Sequence, residues 1–148
     1  MDSLIKDGER IDDIGFGSLR LIQKPEDFCY GIDAVLLATF AEIRKGGRVI
    51  DLGTGTGVIP MILSHRSEAA EIVGVEIQED SYERGLRNIF LNGLGERIRM
   101  IHGDVKHLIK EKMAEKRDDL KCHEFQPQRH RTLPAGNIYV PVKYDVSV

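Results

Sequence analysis

From Arg48 onward the apolar positions alternate between two spacings. Short runs rich in β-branched residues, "RVIDL", "AEIVGVEI" and "RIRMIHGD", predict buried strands. Each is followed by a stretch with helical spacing: "GVIPMILSHR", "EDSYERGLRNIFLNG" and "VKHLIKEKMAEKR". Pro60 fits its helix only in the first turn, where its missing N–H is not needed. Asn92-Gly93 supplies the stop for the second helix. Strand and helix in alternation, with short connections, predict a doubly wound parallel sheet covered on both faces, an α/β Rossmann-like architecture.

The flanking segments read differently. "DDIGFGSLRLIQ" has glycine punctuation and then alternation at Leu19 and Leu21, which predicts a short strand or hairpin, and "KPEDFCYG" follows as a loop. Asp33 is placed to cap a helix through "AVLLATFAEI", with Val35, Leu36, Phe40 and Ile43 on or near one face. The "KGG" at residues 45–47 would end it. Residues 1–45 are thus expected to form a hairpin and helix leading into the fold, and residues 46–148 the Rossmann-like domain. Past Arg117, "DDLKCHEFQPQRHRTLPAGN" reads as a long loop. "NIYVPVKYDVSV" then has strand alternation, with Pro141 restricting where it can pair.

Composition narrows the class without naming a chemistry. With 148 residues, 41% hydrophobic and 30% charged, the chain suits one globular domain. No apolar run reaches the roughly 18 to 20 residues that cross a bilayer. The polar, acidic start "MDSLIKDGERIDD" is unlike a secretory signal, so a cytoplasmic location is expected. Cys29 and Cys122 are far apart and read as free thiols. Cys122, His123 and His130 lack zinc-ligand spacing, so no metal is expected. The net charge of −3 argues neither for nor against nucleic acid, and "KEKMAEKR" mixes both signs as a solvated helix face does.

Candidate chemistry concentrates in "DLGTGTG", which sets Asp51 at a strand tip before Gly53, Thr54, Gly55 and Gly57. A strand that ends in a glycine turn and opens a helix lets a ligand approach the backbone and meet free N–H groups. The dinucleotide fingerprint G-x-G-x-x-G needs glycine at position 58, where Val58 stands. Asp51 would also repel a pyrophosphate, whereas it suits a ligand carrying an ammonium or sulfonium. A nicotinamide-linked oxidoreductase is therefore disfavoured. Glu76 ends the second strand, about twenty residues on, where an acid accepts ribose hydroxyls. Asp104 ends the third, on the same edge of the sheet. The plainer readings are a purely structural turn, a solvated Glu76, and an Asp104 that only caps the next helix, though Asp104 can cap and bind at once. His65, His102 and His107 show no catalytic spacing.

"DLGTGTG", "GVEIQ" and "HGD" together resemble the first three motifs of class I S-adenosylmethionine-dependent methyltransferases. "ERIDDIGFGSLRLIQKPEDFCYGIDAVLLATFA" is similar to the entry segment of the small-domain adenine-N6 methyltransferases that act on tRNA beside the anticodon. The resemblance implies S-adenosyl-L-methionine as cofactor and tRNA as partner. By position it implies that Asp51 meets the methionine ammonium, while Gly53, Thr54 and Gly55 pass beneath the methionine and ribose. It implies that Glu76 holds the ribose hydroxyls, that Ile77 packs on the adenine, and that Asp104 accepts from the adenine amino group with Val105 beside it. Tyr30 and Gly31 would close the methionine end.

One motif of that family is missing. Its members carry Asn-Pro-Pro-Tyr after the fourth strand, where the amide and a proline carbonyl bind the target amino group and the ring stacks on the base. No such tetrapeptide occurs in this chain. "KYDVSV" looks like the family's fourth strand, with Asp145 on it, so the expectation is a cofactor half cut before its catalytic motif. A foreign or frame-shifted tail after Arg117 is the other account. No turnover by the chain alone is expected. A truncated sheet should expose an edge and apolar faces, giving marginal stability or association with itself or a partner. A non-catalytic cofactor-binding subunit, or an acceptor that is rRNA or protein, remains open on the sequence.

Overall fold

The computed structural model describes residues 4–27, 29–107 and 137–141. The chain opens with an antiparallel hairpin of β1 (Arg10–Asp13) and β2 (Arg20–Gln23), in which Ile11 stands opposite Ile22. Helix α1 (Ile32–Phe40) leads into the alternating part: β3 (Arg48–Leu52), α2 (Val58–Arg66), β4 (Glu71–Glu76), α3 (Glu79–Leu91) and β5 (Ile98–His102). A last strand, β6 (Asn137–Pro141), completes a four-stranded parallel sheet in the order β5-β4-β3-β6. The chain therefore steps outward from β3 to β5 and then returns to the other side of β3. That reversal is the switch point at whose carboxyl edge open α/β sheets bind ligands.

The strands lie where the β-branched runs put them. Val49, Ile72, Val73, Val75 and Ile98 are buried, as strands covered on both faces require. Helix α2 is buried along almost its whole length, from Val58 to Ser64. Pro60 sits in its first turn, as its lack of an N–H demands. Pro141 closes β6, which has a partner on one side only among the described residues.

The hairpin and α1 share a single hydrophobic core with the sheet: Ile14, Leu19, Leu21 and Ala38 pack with Val49, Ile59, Met61, Ile62 and Ile72. Polar clamps reinforce the join. The carboxylate of Glu9 accepts from Arg87 at 2.5 and 2.7 Å and from Arg84 at 3.1 Å, and Arg84 reaches Asp27 at 2.7 Å.

Four expectations are corrected. Asp33 does not cap α1; Gly31 is the N-cap residue, in an extended conformation with no side-chain cap bond, and Asp33 lies inside the first turn. The helix ends at Phe40 rather than at the glycines of residues 45–47. The Arg66 guanidinium donates to the carbonyls of Ala38 and Ala41, taking acceptors that continued helix would have used. The core face of α1 is Ala34, Val35 and Ala38, whereas Leu36 and Phe40 are exposed, so an apolar surface runs around the helix rather than along one stripe. The described strand beside β3 is Asn137–Pro141, the earlier part of the β-rich run, where the "KYDVSV" segment was expected. Residues 142–148 with Asp145, the loop at residues 118–136 with Cys122, His123 and His130, and the third helix beyond His107 lie outside the described residues.

Candidate cofactor-binding site

The loop after β3 is built by its glycines. Gly53, Gly55 and Gly57 all take positive φ, at 76°, 58° and 85°, a region that side chains with a Cβ enter only at a cost. Their alternation coils the chain tightly enough for Gly57 to become the N-cap of α2. The amides of Gly53 and Thr54 both donate to the Val75 carbonyl, at 2.8 and 3.0 Å. The Gly57 amide donates to the Thr54 carbonyl at 3.0 Å.

Asp51 is fully buried in β3, between Gly74 of β4 and Val140 of β6 in register. Neither carboxylate oxygen has a hydrogen-bond partner among the described residues. Burial pushes its pKa up to about 6; the nearby Thr54 hydroxyl works against that without completing a hydrogen bond, and the charge of Glu76 adds to it. An ionisable group with two unused acceptors at a sheet switch point is a place for a cationic donor from a ligand.

Glu76, also buried, ends β4 with its carboxylate fixed on two sides. Oε2 accepts from the Gly55 amide at 2.8 Å and Oε1 from the Gln78 amide at 2.8 Å. Each oxygen keeps a second lone pair, so the pair can accept two vicinal hydroxyls without giving up the loop. Ile77 follows with 60% of its surface exposed, and His102 Nε2 lies 2.9 Å from its carbonyl oxygen. The Gly103 amide donates to the Glu76 carbonyl at 2.9 Å, which ties the end of β5 to the end of β4. Asp104 comes next, and its Oδ1 accepts from the Lys106 amide at 2.8 Å, which is capping geometry for the turn that holds Val105.

The structure thus brings Asp51, Gly53, Thr54, Gly55, Gly57 and Glu76 together, with Ile77, Asp104 and Val105 on the adjoining strand ends. Tyr30 and Gly31 lie just before α1. They line an open cleft of about 590 Å3 between the hairpin and α1, with Arg10, Asp12, Asp13 and Gln23, and no glycine-loop residue lines it. Burial first, then Asp12 and Asp13, raise the Tyr30 phenol above its ordinary pKa. No group of three or more His, Cys, Asp or Glu placed to hold a metal occurs among the described residues.

Sequence reasoning missed the residues that support the loop from beneath. A Cβ on Gly74 would fall 2.8 Å from both Met100 Sδ and Thr54 Cγ2, and one on Gly85 would fall 2.6 Å from Met100 Cε and 3.5 Å from the Gly55 carbonyl oxygen. A glycine inside the strand run "VGV" is itself a sign of close backbone approach and was the available signal. Asn88, fully buried in α3, donates to the Thr56 carbonyl at 3.1 Å.

A parallel sheet with its order reversed at β3, a glycine turn at that point and acids at three strand ends define a Rossmann-like crevice of the class I methyltransferase kind. The chain belongs to the TRM5/TYW2 methyltransferase domain family, whose model matches residues 37–138. Among curated relatives it is 34% identical over 91 residues to a tRNA1(Val) (adenine(37)-N6)-methyltransferase of Christiangramia forsetii, covering 61% of this chain and 38% of the relative. The enzyme of the same description from Flavobacterium johnsoniae is 34% identical over 82 residues, covering 55% of this chain and 35% of the relative. The chain therefore spans little more than a third of the length of these relatives. Among solved structures, TYW2 of P. horikoshii in complex with MeSAdo matches with TM-score 0.57 at 14% identity, covering 67% of this chain and 37% of that one. TYW2 of M. jannaschii in complex with AdoMet matches with TM-score 0.55 at 18% identity, covering 66% and 44%. No helix among the described residues is long and apolar enough to cross a membrane.

Proposed function

We propose that this chain carries the S-adenosylmethionine site of a methyltransferase that modifies adenine N6 in tRNA. The observation that carries the cofactor reading is Asp51, a buried carboxylate with two unused oxygens beside a loop of three positive-φ glycines. That donor set fits a ligand with an ammonium, which would satisfy Asp51, and a ribose, whose hydroxyls would meet Glu76. The cofactor, when bound, supplies an electrophilic methyl group on a sulfonium. The chain's own residues bind and orient it: the loop passes beneath it, exposed Ile77 offers an apolar face to the adenine, and Asp104 keeps acceptor capacity for the adenine amino group while capping its turn. Tyr30 and Gly31 close the methionine end only if the ligand bridges from the loop toward their cleft.

The acceptor reading is supported by the tRNA1(Val) (adenine(37)-N6)-methyltransferases among the curated relatives and by the family match. The Asn-Pro-Pro-Tyr tetrapeptide is absent from the sequence, so the groups that would hold the target amine are not assigned to any residue here. A second reading, a cofactor-binding subunit completed by another protein, is favoured by the exposed line of Ile32, Leu36 and Phe40 on α1, at 72%, 48% and 77% exposure.

Thermal melts with S-adenosylhomocysteine, with NAD and with neither test the cofactor. At about a hundred times its Kd the homocysteine ligand should stabilise the fold by roughly 2.7 kcal/mol, and Glu76→Gln should weaken its binding by about 1 to 3 kcal/mol. A cooperative melt that NAD moves, or that neither ligand moves, would overturn the assignment.

A further inference from the structure

Among the described residues the glycine loop is held both from the sheet and from helix α3. On the β4 side the loop amides donate to Val75 and Glu76. On the α3 side the Thr56 carbonyl accepts from Asn88 Nδ2. Asn88 has a second task. Its Oδ1 accepts from the Ile22 amide at 2.6 Å, and Nδ2 also reaches the Ile22 carbonyl at 3.4 Å, so the side chain pairs with the edge of β2 that faces α3. Two carbonyls and one amide around a fully buried group fix which end is oxygen and which is nitrogen.

Asn92, four residues on and the C-cap of α3, is a natural comparison within the same molecule. It makes the same amide pair with the next available residue of that edge, accepting from the Arg20 amide at 2.9 Å and donating to the Arg20 carbonyl at 2.7 Å. Its other donations go to the Asn88 carbonyl at 2.7 Å and to Met61 Sδ of α2 at 3.5 Å, and not to the loop. If pairing with the hairpin edge were the whole purpose, Asn88 and Asn92 would be equivalent. They differ in that Asn88, fully buried, reaches the Thr56 carbonyl of the loop, whereas Asn92, partly exposed, reaches Met61 of α2.

We infer that Asn88 is a positioning residue for the cofactor site, joining the N-terminal hairpin to the glycine loop so that docking of β2 on α3 and the bound shape of the loop are coupled. A carbonyl in a glycine-rich turn has few neighbours to fix its direction, and rotation of the peptide between Thr56 and Gly57 would reset the φ of Gly57 and with it the start of α2. Asn88 prevents that rotation from below, leaving the upper side of the loop to the ligand. The coupling is reciprocal: a ligand that favours the ordered loop must also favour the docked hairpin.

The test is a matched pair, Asn88→Asp and Asn92→Asp. Each keeps the acceptor for its β2 amide and replaces the donating end with a carboxylate oxygen that faces the carbonyls. Both should lower the melting temperature. Only Asn88→Asp should speed hydrogen exchange at the Gly55 and Gly57 amides without ligand, and only it should weaken S-adenosylhomocysteine binding, by about tenfold against less than about twofold for Asn92→Asp. In the unsubstituted protein the ligand should slow exchange at the Ile22 amide and leave Arg20 unchanged. Should Asn88→Asp fail to fold, Asn88→Ser, which also loses the reach to Thr56, carries the same comparison. Equal effects of the two Asp variants on loop exchange would overturn the inference. The affinity arm rests on the cofactor reading, but the ligand-free exchange does not. Faster loop exchange in a protein that never binds the homocysteine ligand would discard the cofactor and keep Asn88 in this role.

Discussion

Asp51→Asn separates the cost of a buried carboxylate from its use. In the folded chain burial lifts the Asp51 pKa from 3.8 to about 6. Between those values the folded state binds the proton more tightly than the unfolded state, so the group makes stability fall as pH rises. About two units at roughly 1.4 kcal/mol each give a loss of about 3 kcal/mol from pH 4 to pH 7, after which the contribution is flat. Asparagine has no such titration. Its amide carries its own burial penalty of about 1 to 3 kcal/mol, but that penalty is the same at every pH and cancels when the difference between the two proteins is compared across pH.

Urea melts of both proteins at half-unit steps from pH 4 to pH 8 measure that difference. The stability of Asp51→Asn relative to the parent should rise by about 3 kcal/mol through the window and then level off. In thermal melts of a chain this size the same change is on the order of 10 °C. Ligand binding should run the other way. An ammonium beside Asp51 needs the carboxylate charged, so affinity for S-adenosylhomocysteine should fall below about pH 6, toward tenfold per unit, and the profile should flatten in the Asn variant. Parallel stability curves for the two proteins would refute the reasoning, because the buried oxygens would then have a proton donor or a counter-charge that the structure does not show.

Two further changes probe the frame around the site. Glu9 is 3% exposed, and its pKa is lowered to about 2, first by its hydrogen bond from Arg87, so its stabilisation is complete above pH 4.5 and is lost as pH falls toward 2. Glu9→Gln should cost about 3 kcal/mol at pH 7 in urea melts, with the penalty shrinking from pH 4.5 downward; a penalty that does not change with pH would mean that packing rather than charge holds the hairpin. Gly57 caps α2 with φ at 85°, so Gly57→Ala should cost about 1 to 2 kcal/mol in the same assay, and an unchanged midpoint would show that the loop reaches α2 by another path.

What could be read from the chain follows the range over which each feature is decided. The loop is local: Asp51, three glycines and the opening of α2 lie within eight residues of one another, so spacing alone exposed them. The end of α1 is not local. Nothing between Ala41 and Gly47 says that Arg66, on another helix, takes the carbonyls of Ala38 and Ala41. The buried face of α1 was illegible for a different reason. Ile32, Val35, Leu36, Leu37 and Phe40 are apolar on all sides, so periodicity has no contrast to work with. Asn88 was hidden because an asparagine in a polar-rich helix ordinarily faces water, and only the fold shows it at zero exposure beneath Thr56.

The residues that defy their local setting converge on one place. Asp51 is a carboxylate near the end of a buried strand, Gly74 leaves a strand without a side chain, Gly85 weakens a helix and Asn88 puts an amide where an aliphatic group would pack. Each costs stability on its own account. A second group of buried polar side chains, Gln23, Glu9 and Arg84, lies at the hairpin seam, whereas Val49, Ile62, Leu63 and Ile72 are aliphatic and fully covered. Gly74 and Gly85 admit Thr54 and the loop carbonyls, Asn88 holds Thr56, and Asp51 stands near Thr54 with no hydrogen-bond partner among the described residues. Exceptions that cluster around seven residues of loop are what a ligand site requires of a fold and what packing alone would have removed. That clustering supports the proposed reading of the glycine turn as a binding element over that of a bend in the chain.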